Sequence, residues 1–297
     1  MNEQKHDAKA ELAETYQSLR PRLVGVAYGL LGTVTEAEDA VQEAWIRLQN
    51  SDAERIEDVT AWLVTTTSRL ALDMLRSVRR KRESYVGPWL PEPVETAPDP
   101  ADSLSLADSL SWAMLVVLET LSPAERAAFV LHDVFSLSFP EVGKALGRST
   151  ESCRKLAARA RAHVRERRTR FDVDPGEHRR ITEAFARAAG EGDLDALMDL
   201  LAPDAVLTTD GGGVVRAALN PIEGAANIAR FLAGVAAKYP GGENRLTLIN
   251  GEPALAVVQG GENNTVFHLG IADGRIATVD AVRNPSKFHG LRPRPEK

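Results

Sequence analysis

Between Ser138 and Arg170 the chain spells two helices joined by a tight turn. Ser138 and Glu141 stand at capping-box spacing, Pro140 falls in the first turn where its missing N–H costs nothing, and Gly147 ends a short helix. In the stretch that follows, Ser149 to Arg170, the part from Arg154 onward carries eight Arg or Lys residues against a single acid, Glu166. Cys153, Leu156, Ala157, Ala160 and Val164 recur at helical spacing, so one face is apolar and the rest is basic. A short capped helix, a turn and an Arg-rich second helix present that helix to the major groove of DNA. A solvated amphipathic helix would explain the charge run alone; the upstream helix and turn favour DNA binding.

This basic helix belongs to a chain of 297 residues whose formal net charge is -6. Positive charge is concentrated at Arg69–Arg82 and Arg154–Arg170, which implies two contacts with a polyanion, while acidic surface elsewhere limits indiscriminate binding. The lone Cys153 excludes an internal disulfide framework, fits a reducing compartment, and on the apolar face reads as a small buried hydrophobe. The polar start, MNEQKHDAKAEL, is not a signal peptide, and no apolar run reaches the roughly 18 residues of a membrane span. A cytoplasmic protein with no membrane contact is expected. No His/Cys cluster has zinc spacing, so neither a metal nor a cofactor is expected.

Residues 11–85 read as helices. The first, around Glu11 to Leu31, is interrupted near Arg20-Pro21. Thr35 and Glu38 form a capping box opening a helix through Leu48, with Ala37, Val41, Ala44, Trp45 and Leu48 as its buried stripe. A third helix runs from about Asp58 to Arg82, with Val59, Leu63, Leu70, Met74 and Val78 at core spacing and a basic far end. Part of that basic run also complements the helix dipole. Residues 86–107, with five prolines, form an extended and semi-stiff linker in which Trp89 and Leu90 suggest a docking contact or packing on a neighbouring domain. Residues 108–172 are helical again. Residues 173–297 change character: two helices over 177–201, a strand Ala205 to Thr209, a helix Ala225 to Tyr239, then strands at about 245–250, 253–259, 264–271 and 275–283 divided by Asn-Gly, Gly-Gly and Asp-Gly turns. That order predicts an α+β domain with an antiparallel meander.

The first 170 residues resemble the extracytoplasmic-function sigma factors of bacterial RNA polymerase. Ala37–Leu48 (AEDAVQEAWIRL) is similar to the region 2 helix that docks on the polymerase clamp, and Ala61–Arg82 to the helix that melts and reads the −10 element. Leu121-Ser122-Pro123-Ala124-Glu125-Arg126 through Arg161 is similar to region 4, which reads the −35 element. Trp89-Leu90-Pro91-Glu92-Pro93 resembles a linker motif of a subgroup with a fused C-terminal domain of SnoaL-like fold, a cone of helices on a curved sheet. Asp210-Gly211-Gly212-Gly213 and Asn284-Pro285-Ser286-Lys287-Phe288 resemble motifs of that extension. Val214 stands where the glycine motif usually continues with Lys, and Ser286 where an acid is common.

The resemblance implies two all-α sigma domains, a region 2 bundle (1–85) and a region 4 helix-turn-helix (108–172), followed by an α+β SnoaL-like cone domain (173–297). It implies binding to core RNA polymerase and promoter DNA, with the chain's own C-terminal domain modulating initiation. Arg148, Ser149, Thr150, Glu151, Arg154, Lys155, Arg159 and Arg161 are the −35 candidates, with Arg154 and Lys155 for base edges and Arg148, Arg159 and Arg161 mostly for phosphates. Asn50, Ser51, Arg69, Arg76, Arg79 and Arg80 are the −10 candidates, and Asp39, Gln42 and Glu43 the polymerase-facing ones. Trp89–Pro93, Asp210–Gly213, Asn284, Pro285 and Lys287 are candidates for contact between the sigma part and the extension. Enzymes of this fold use acids and His inside the cone; His268, Asp280 and Arg283 fall on predicted strands but make a weak site, so no catalytic residue is assigned and no enzyme is expected. The competing reading is a polymerase-independent helix-turn-helix regulator with a ligand-sensing domain, which leaves the Ala37–Leu48 and Ala61–Arg82 helices without a task.

Overall fold

Helix α1 spans Asn2–Leu31 without a break and contains Pro21. The expected interruption at Arg20-Pro21 is absent. Proline in a helix interior costs about 3 kcal/mol, but Leu23, Val24, Val26, Ala27, Tyr28, Leu30 and Leu31 beyond it are all buried. Burying that run against α2 (Val34–Gln49) offsets the lost backbone bond. The computed structural model describes residues 2–51, 56–82, 84–96, 110–168 and 173–291.

The α2 cap also differs from the Thr35/Glu38 expectation. The N-cap is Thr33, whose hydroxyl donates to Glu36 at 2.6 Å, while Glu38 pairs with Arg20 at 2.8 Å. Its buried stripe is Ala37, Ala40, Val41, Ala44 and Leu48; Trp45 is half-buried and stacks on Tyr16 at 4.4 Å. Helix α3 spans Val59–Arg82, and Asp58 accepts the Ala61 N–H at 2.9 Å. Its buried face is Leu63, Val64, Thr67, Ser68, Ala71, Leu72 and Leu75, rotated from the predicted stripe, since Leu70 and Met74 are only half-buried. Periodicity missed this because two of the buried positions are polar; Ser68 is satisfied by donating to Val64 O at 2.7 Å. Val78 lies outside the described side chains.

Two units partition the chain, one of Met1–Arg80, Ala101–Leu110 and Leu118–Val164, the other of Lys81–Pro100, Ser111–Val117 and Arg165–Lys297. The first holds α1, α2, most of α3, α5 (Pro123–Phe129, continued by a π-helical turn to Val134), α6 (Phe139–Leu146) and most of α7 (Thr150–Arg168). Full capping boxes at Ser122/Glu125 and Ser138/Glu141 start α5 and α6. Helix α4 (Trp112–Glu119) passes from one unit to the other along its length.

The second unit carries α8 (Pro175–Glu191), α9 (Leu194–Leu200) and α10 (Ala225–Lys238) on a six-stranded sheet. Its strands are β1 (Leu201–Asp210), β2 (Ile222–Glu223), β3 (Glu243–Ile249), β4 (Glu252–Gln259), β5 (Glu262–Ala272) and β6 (Arg275–Val282), in the order β2-β1-β6-β5-β4-β3. The meander β3 to β6 is antiparallel, but β1 pairs with β6 in parallel, so the sheet is mixed rather than wholly antiparallel. Strand periodicity carries no information on pairing direction, and the long excursion through α10 lets β6 return beside β1. One sheet face packs on the helices through Phe185, Leu207, Leu232, Leu255, Leu269 and Val279. The opposite face is covered by Leu90, Trp112 and Leu291 against Ile249, Ala256, Val266 and Val282.

Candidate nucleic-acid interface and its linker

In α7 the apolar face (Cys153, Leu156, Ala157, Ala160, Val164) is buried, while Arg154, Lys155, Arg159 and Arg165 are exposed and Arg161 is half-buried. Gly147 closes α6 with φ 63°, the left-handed conformation that lets the turn reach Ser149, and Ser149 Oγ caps α7 by accepting Ser152 N–H at 3.2 Å. The exposed first turns therefore carry Arg148, Ser149, Glu151, Arg154 and Lys155, with Thr150 half-buried. Lys155 pairs with Glu151 at 2.7 Å, and the Arg154 guanidinium lies 5.6 Å from the Phe139 ring. Arg159 and Arg161 are held by carboxylates of the preceding helices, Glu125 at 2.7 Å and Asp133 at 2.6 Å. Hydrogen bonds from Ser122 and then Arg159 keep the Glu125 carboxyl below its usual range.

Asp39 and Gln42 are exposed on α2, and Glu43 is engaged by Arg47 at 2.8 Å. Asn50 forms the α2 C-cap and Ser51 Oγ donates to Leu48 O at 2.7 Å. On α3, Arg76 pairs with Asp73 at 3.0 Å and Arg69 donates to Lys144 O on α6 at 2.6 Å. The side chains of Arg79 and Arg80 lie outside the described residues. Helices α3 and α6 thus touch within one unit. Arg22 on α1 also donates to Phe135 O at 3.1 Å, and the fully buried Arg126 on α5 donates to Gly29 O on α1 at 2.8 Å while pairing with Glu119. Arg126 falls in the sequence as an ordinary helix-surface arginine, so no local signal marks its burial.

Within the second unit, the three motifs picked out by resemblance meet around one buried carboxylate. Asp210 is inaccessible to solvent and accepts the Tyr85 hydroxyl at 2.6 Å, Leu90 N–H at 2.9 Å, Gly212 N–H at 3.1 Å and the Lys287 ammonium at 2.6 Å. Lys287, itself buried, also donates to Leu90 O and lies 4.0 Å from the Trp89 ring, whose other cation neighbour is Arg82 at 3.4 Å. Asn284 donates to the Tyr85 hydroxyl at 2.9 Å, and Gly212 holds φ 63° with no room for a Cβ beside that amide. Gly211 and Gly213 complete the turn, and Pro285 opens a 3-10 turn that aims Lys287 inward. Pro91, Glu92 and Pro93 are buried, Asn250 bonds Val94 through its backbone at 2.8 Å, and Glu95 bridges to Ile249 and pairs with Arg245. Tyr85 was not legible beforehand. Burial, and then its bond to Asp210, push its hydroxyl pKa well up.

His268 and Asp280 pair across β5 and β6 on the face opposite the helices, beside Trp112. Of the three, Arg283 lines the cavity and His268 and Asp280 do not. Side chains alternate along a strand, so Asp280 faces away from Val279 and Ala281. His268 Nε2 lies 2.9 Å from Glu252, which also accepts Ala113 N–H at the start of α4 at 3.3 Å, and the Trp112 indole donates to Asp280 at 3.1 Å. Burial raises the Asp280 carboxyl despite that bond and the nearby His268. An acid whose folded pKa is raised stabilises less as pH climbs from its unfolded value toward its folded one. The wild type is therefore expected to lose stability across that window relative to Asp280→Asn; parallel urea curves from pH 4 to 8 with no difference in slope would exclude it.

The helical bundle with its helix-turn-helix and basic second helix has the architecture of a DNA-binding protein joined to an α+β domain. Comparison with known proteins gives the family. The Sigma-70 region 2 model matches residues 15–81, Sigma-70 region 4 residues 111–164, and the SnoaL-like domain residues 182–282. The chain is 40% identical to the ECF RNA polymerase sigma factor SigJ of Mycobacterium tuberculosis, over 93% of this chain and 92% of that protein. It is 33% identical to the probable ECF RNA polymerase sigma factor SigI of the same species, over 95% and 96%. The crystal structure of M. tuberculosis SigJ superposes with a TM-score of 0.76 at 37% identity, covering 95% of this chain and 100% of that one. The chain belongs to the extracytoplasmic-function sigma factors of RNA polymerase, which direct promoter-specific transcription initiation. No helix among the described residues is long and apolar enough to cross a membrane.

Proposed function

We propose that this sigma factor, in the cytoplasm with core polymerase, reads the −35 element with α7 and the −10 element with α3, and that its C-terminal unit sets how freely those two readers separate. Elements named −35 and −10 are ~25 base pairs apart, so at about 3.4 Å per base pair the readers stand ~85 Å apart along a straight duplex. In the chain alone, Arg69 of α3 is bonded to Lys144 of α6. Promoter engagement therefore requires opening. The observation that carries the proposal is that Lys81–Pro100, part of the connection between the readers, belongs to the C-terminal unit, with Leu90 locked to Asp210 and Lys287.

Arg154 and Lys155 read base edges; Arg148 contacts phosphate, and Arg159 and Arg161 do so after exchanging Glu125 and Asp133 for the DNA. Arg69, Arg76, Arg79 and Arg80 follow the −10 backbone, with Asn50 and Ser51 at the unpaired base, while Asp39, Gln42 and Glu43 face a basic polymerase surface. Arg154→Ala is expected to weaken discrimination at one −35 base pair by about 1–3 kcal/mol, whereas Arg148→Ala lowers the salt slope of binding by about one without relaxing specificity.

Run-off transcription with purified core polymerase tests the whole. The wild type should stimulate core at its promoter; tight specific DNA binding without that stimulation would favour the polymerase-independent regulator. Gly212→Val, which clashes with the Asn284 amide, should loosen the linker. Promoters with spacers one or two base pairs off the optimum should then gain transcription relative to the optimum. An unchanged spacer profile in a folded variant sinks the linker role.

A further inference from the structure

The face of the sheet under α10 encloses a cavity of about 150 Å³ that the sigma function does not use. Leu207, Phe231, Val235, Leu255, Val257 and Phe267 form its body. Thr209, Asn244, Gln259 and Thr265 add polar groups to the lining, and a space of that size accepts a single aromatic ring. Among the described residues its lining contains no carboxylate, imidazole or thiol.

One charge stands at its edge. The half-buried Arg283 donates to Thr265 Oγ1 at 3.2 Å, Asn264 Oδ1 at 3.3 Å and the Arg216 carbonyl. Those three partners are neutral oxygens. A guanidinium carries five N–H donors, so two remain after these bonds. Burial lowers the Arg283 pKa, as expected for a cation held partly out of water with no carboxylate paired to it among the described residues. Tyr239, whose ring also lines the cavity, adds a hydroxyl near the guanidinium. Thr265 and Asn264 fix the fork, so an anion meeting it requires little reorganisation.

We infer that this cavity is a binding site for a small monoanionic ring acid, its ring among Phe231, Val257 and Phe267 and its carboxylate on the two remaining N–H groups of Arg283. The site lies wholly within the C-terminal unit and does not depend on the linker reading. The carboxylate supplies the missing counter-charge while the ring fills apolar space, so a neutral amide of the same shape binds more weakly. An ammonium-bearing ring is rejected by the like charge.

Calorimetric titration of the full chain with benzoate and with benzamide tests this. Benzoate is expected to bind in the millimolar range or tighter, and benzamide about tenfold more weakly, the difference typical of one charge-assisted contact. Arg283→Gln should bring the two within about threefold, and Ala236→Phe, which fills the cavity from α10, should abolish both. If Arg283→Gln does not fold, amide chemical shifts of the wild type decide: benzoate should move Phe231, Thr265 and Phe267 together. The inference is overturned if benzamide equals benzoate, if benzoate binding survives Ala236→Phe, or if no benzoate binds at millimolar concentration.

Discussion

Replacing Lys287 with methionine is expected to lower the unfolding free energy of the C-terminal unit by about 3–5 kcal/mol. Methionine matches the length of the lysine stem, so packing against Trp89 is largely retained and the loss is electrostatic. Asp210 would remain fully buried with Tyr85, Leu90 and Gly212 as neutral donors and no cation. The double variant Asp210→Asn/Lys287→Met removes the uncompensated charge and should recover a large share of the loss. Urea midpoints of the wild type, both single variants and the double variant close the cycle. Additive single effects would mean that the pair is not coupled. Because Lys287 also holds the Leu90 carbonyl, the single variant should free the linker as well. Proteolysis near Trp89 in native buffer should then accelerate alongside the stability loss.

Arg126→Met should cost the sigma unit a similar amount, about 3–5 kcal/mol, for a related reason. The side chain is buried between α1 and α5, bonded to Gly29 O and paired with Glu119. Removing the guanidinium takes the Arg126 ion pair from the mostly buried Glu119 carboxylate and the side-chain donor from the Gly29 carbonyl. Lysine retains the charge but not the fork, so Arg126→Lys should recover less than half. Denaturant unfolding of the full chain, followed at amides of α1 and α5, measures both. A loss below about 1 kcal/mol for Arg126→Met would show that the pair contributes as little as an exposed one.

How far the sequence reached varies by element. The Ser138/Glu141 cap, the Gly147 stop and the buried stripe of α7 follow from spacing over four or five residues and are present as read. The helix continues through Pro21 because local propensity is worth about 3 kcal/mol there, and seven buried residues beyond it outweigh that. The α3 stripe was displaced because Thr67 and Ser68 are buried yet polar, and a hydrophobic pattern does not count them. The cap of α2 is ambiguous in the sequence because Thr33 and Thr35 offer the same chemistry, and the fold uses Thr33. Motif resemblance singled out Asp210, Lys287 and Asn284, but nothing in their spacing says that one carboxylate gathers all three segments.

By itself the sequence determined what each segment becomes: helices with a basic reading face, a proline-rich connection, and strands after Arg170. These are short-range matters, decided by periodicity, caps and turn residues within a few positions. Tertiary structure alone decided which segments meet. Parallel pairing of β1 with β6 brings Asp210 beside Val282, and with it the carboxylate that Lys287 neutralises 77 residues away. Strand register turned Asp280 and His268 away from the cavity and Arg283 toward it. The contact of α3 with α6 is likewise long-range, between residues 75 apart. Burial of charge makes such meetings specific, because a buried ion without its partner costs several kcal/mol and the chain has few arrangements that supply every partner at once.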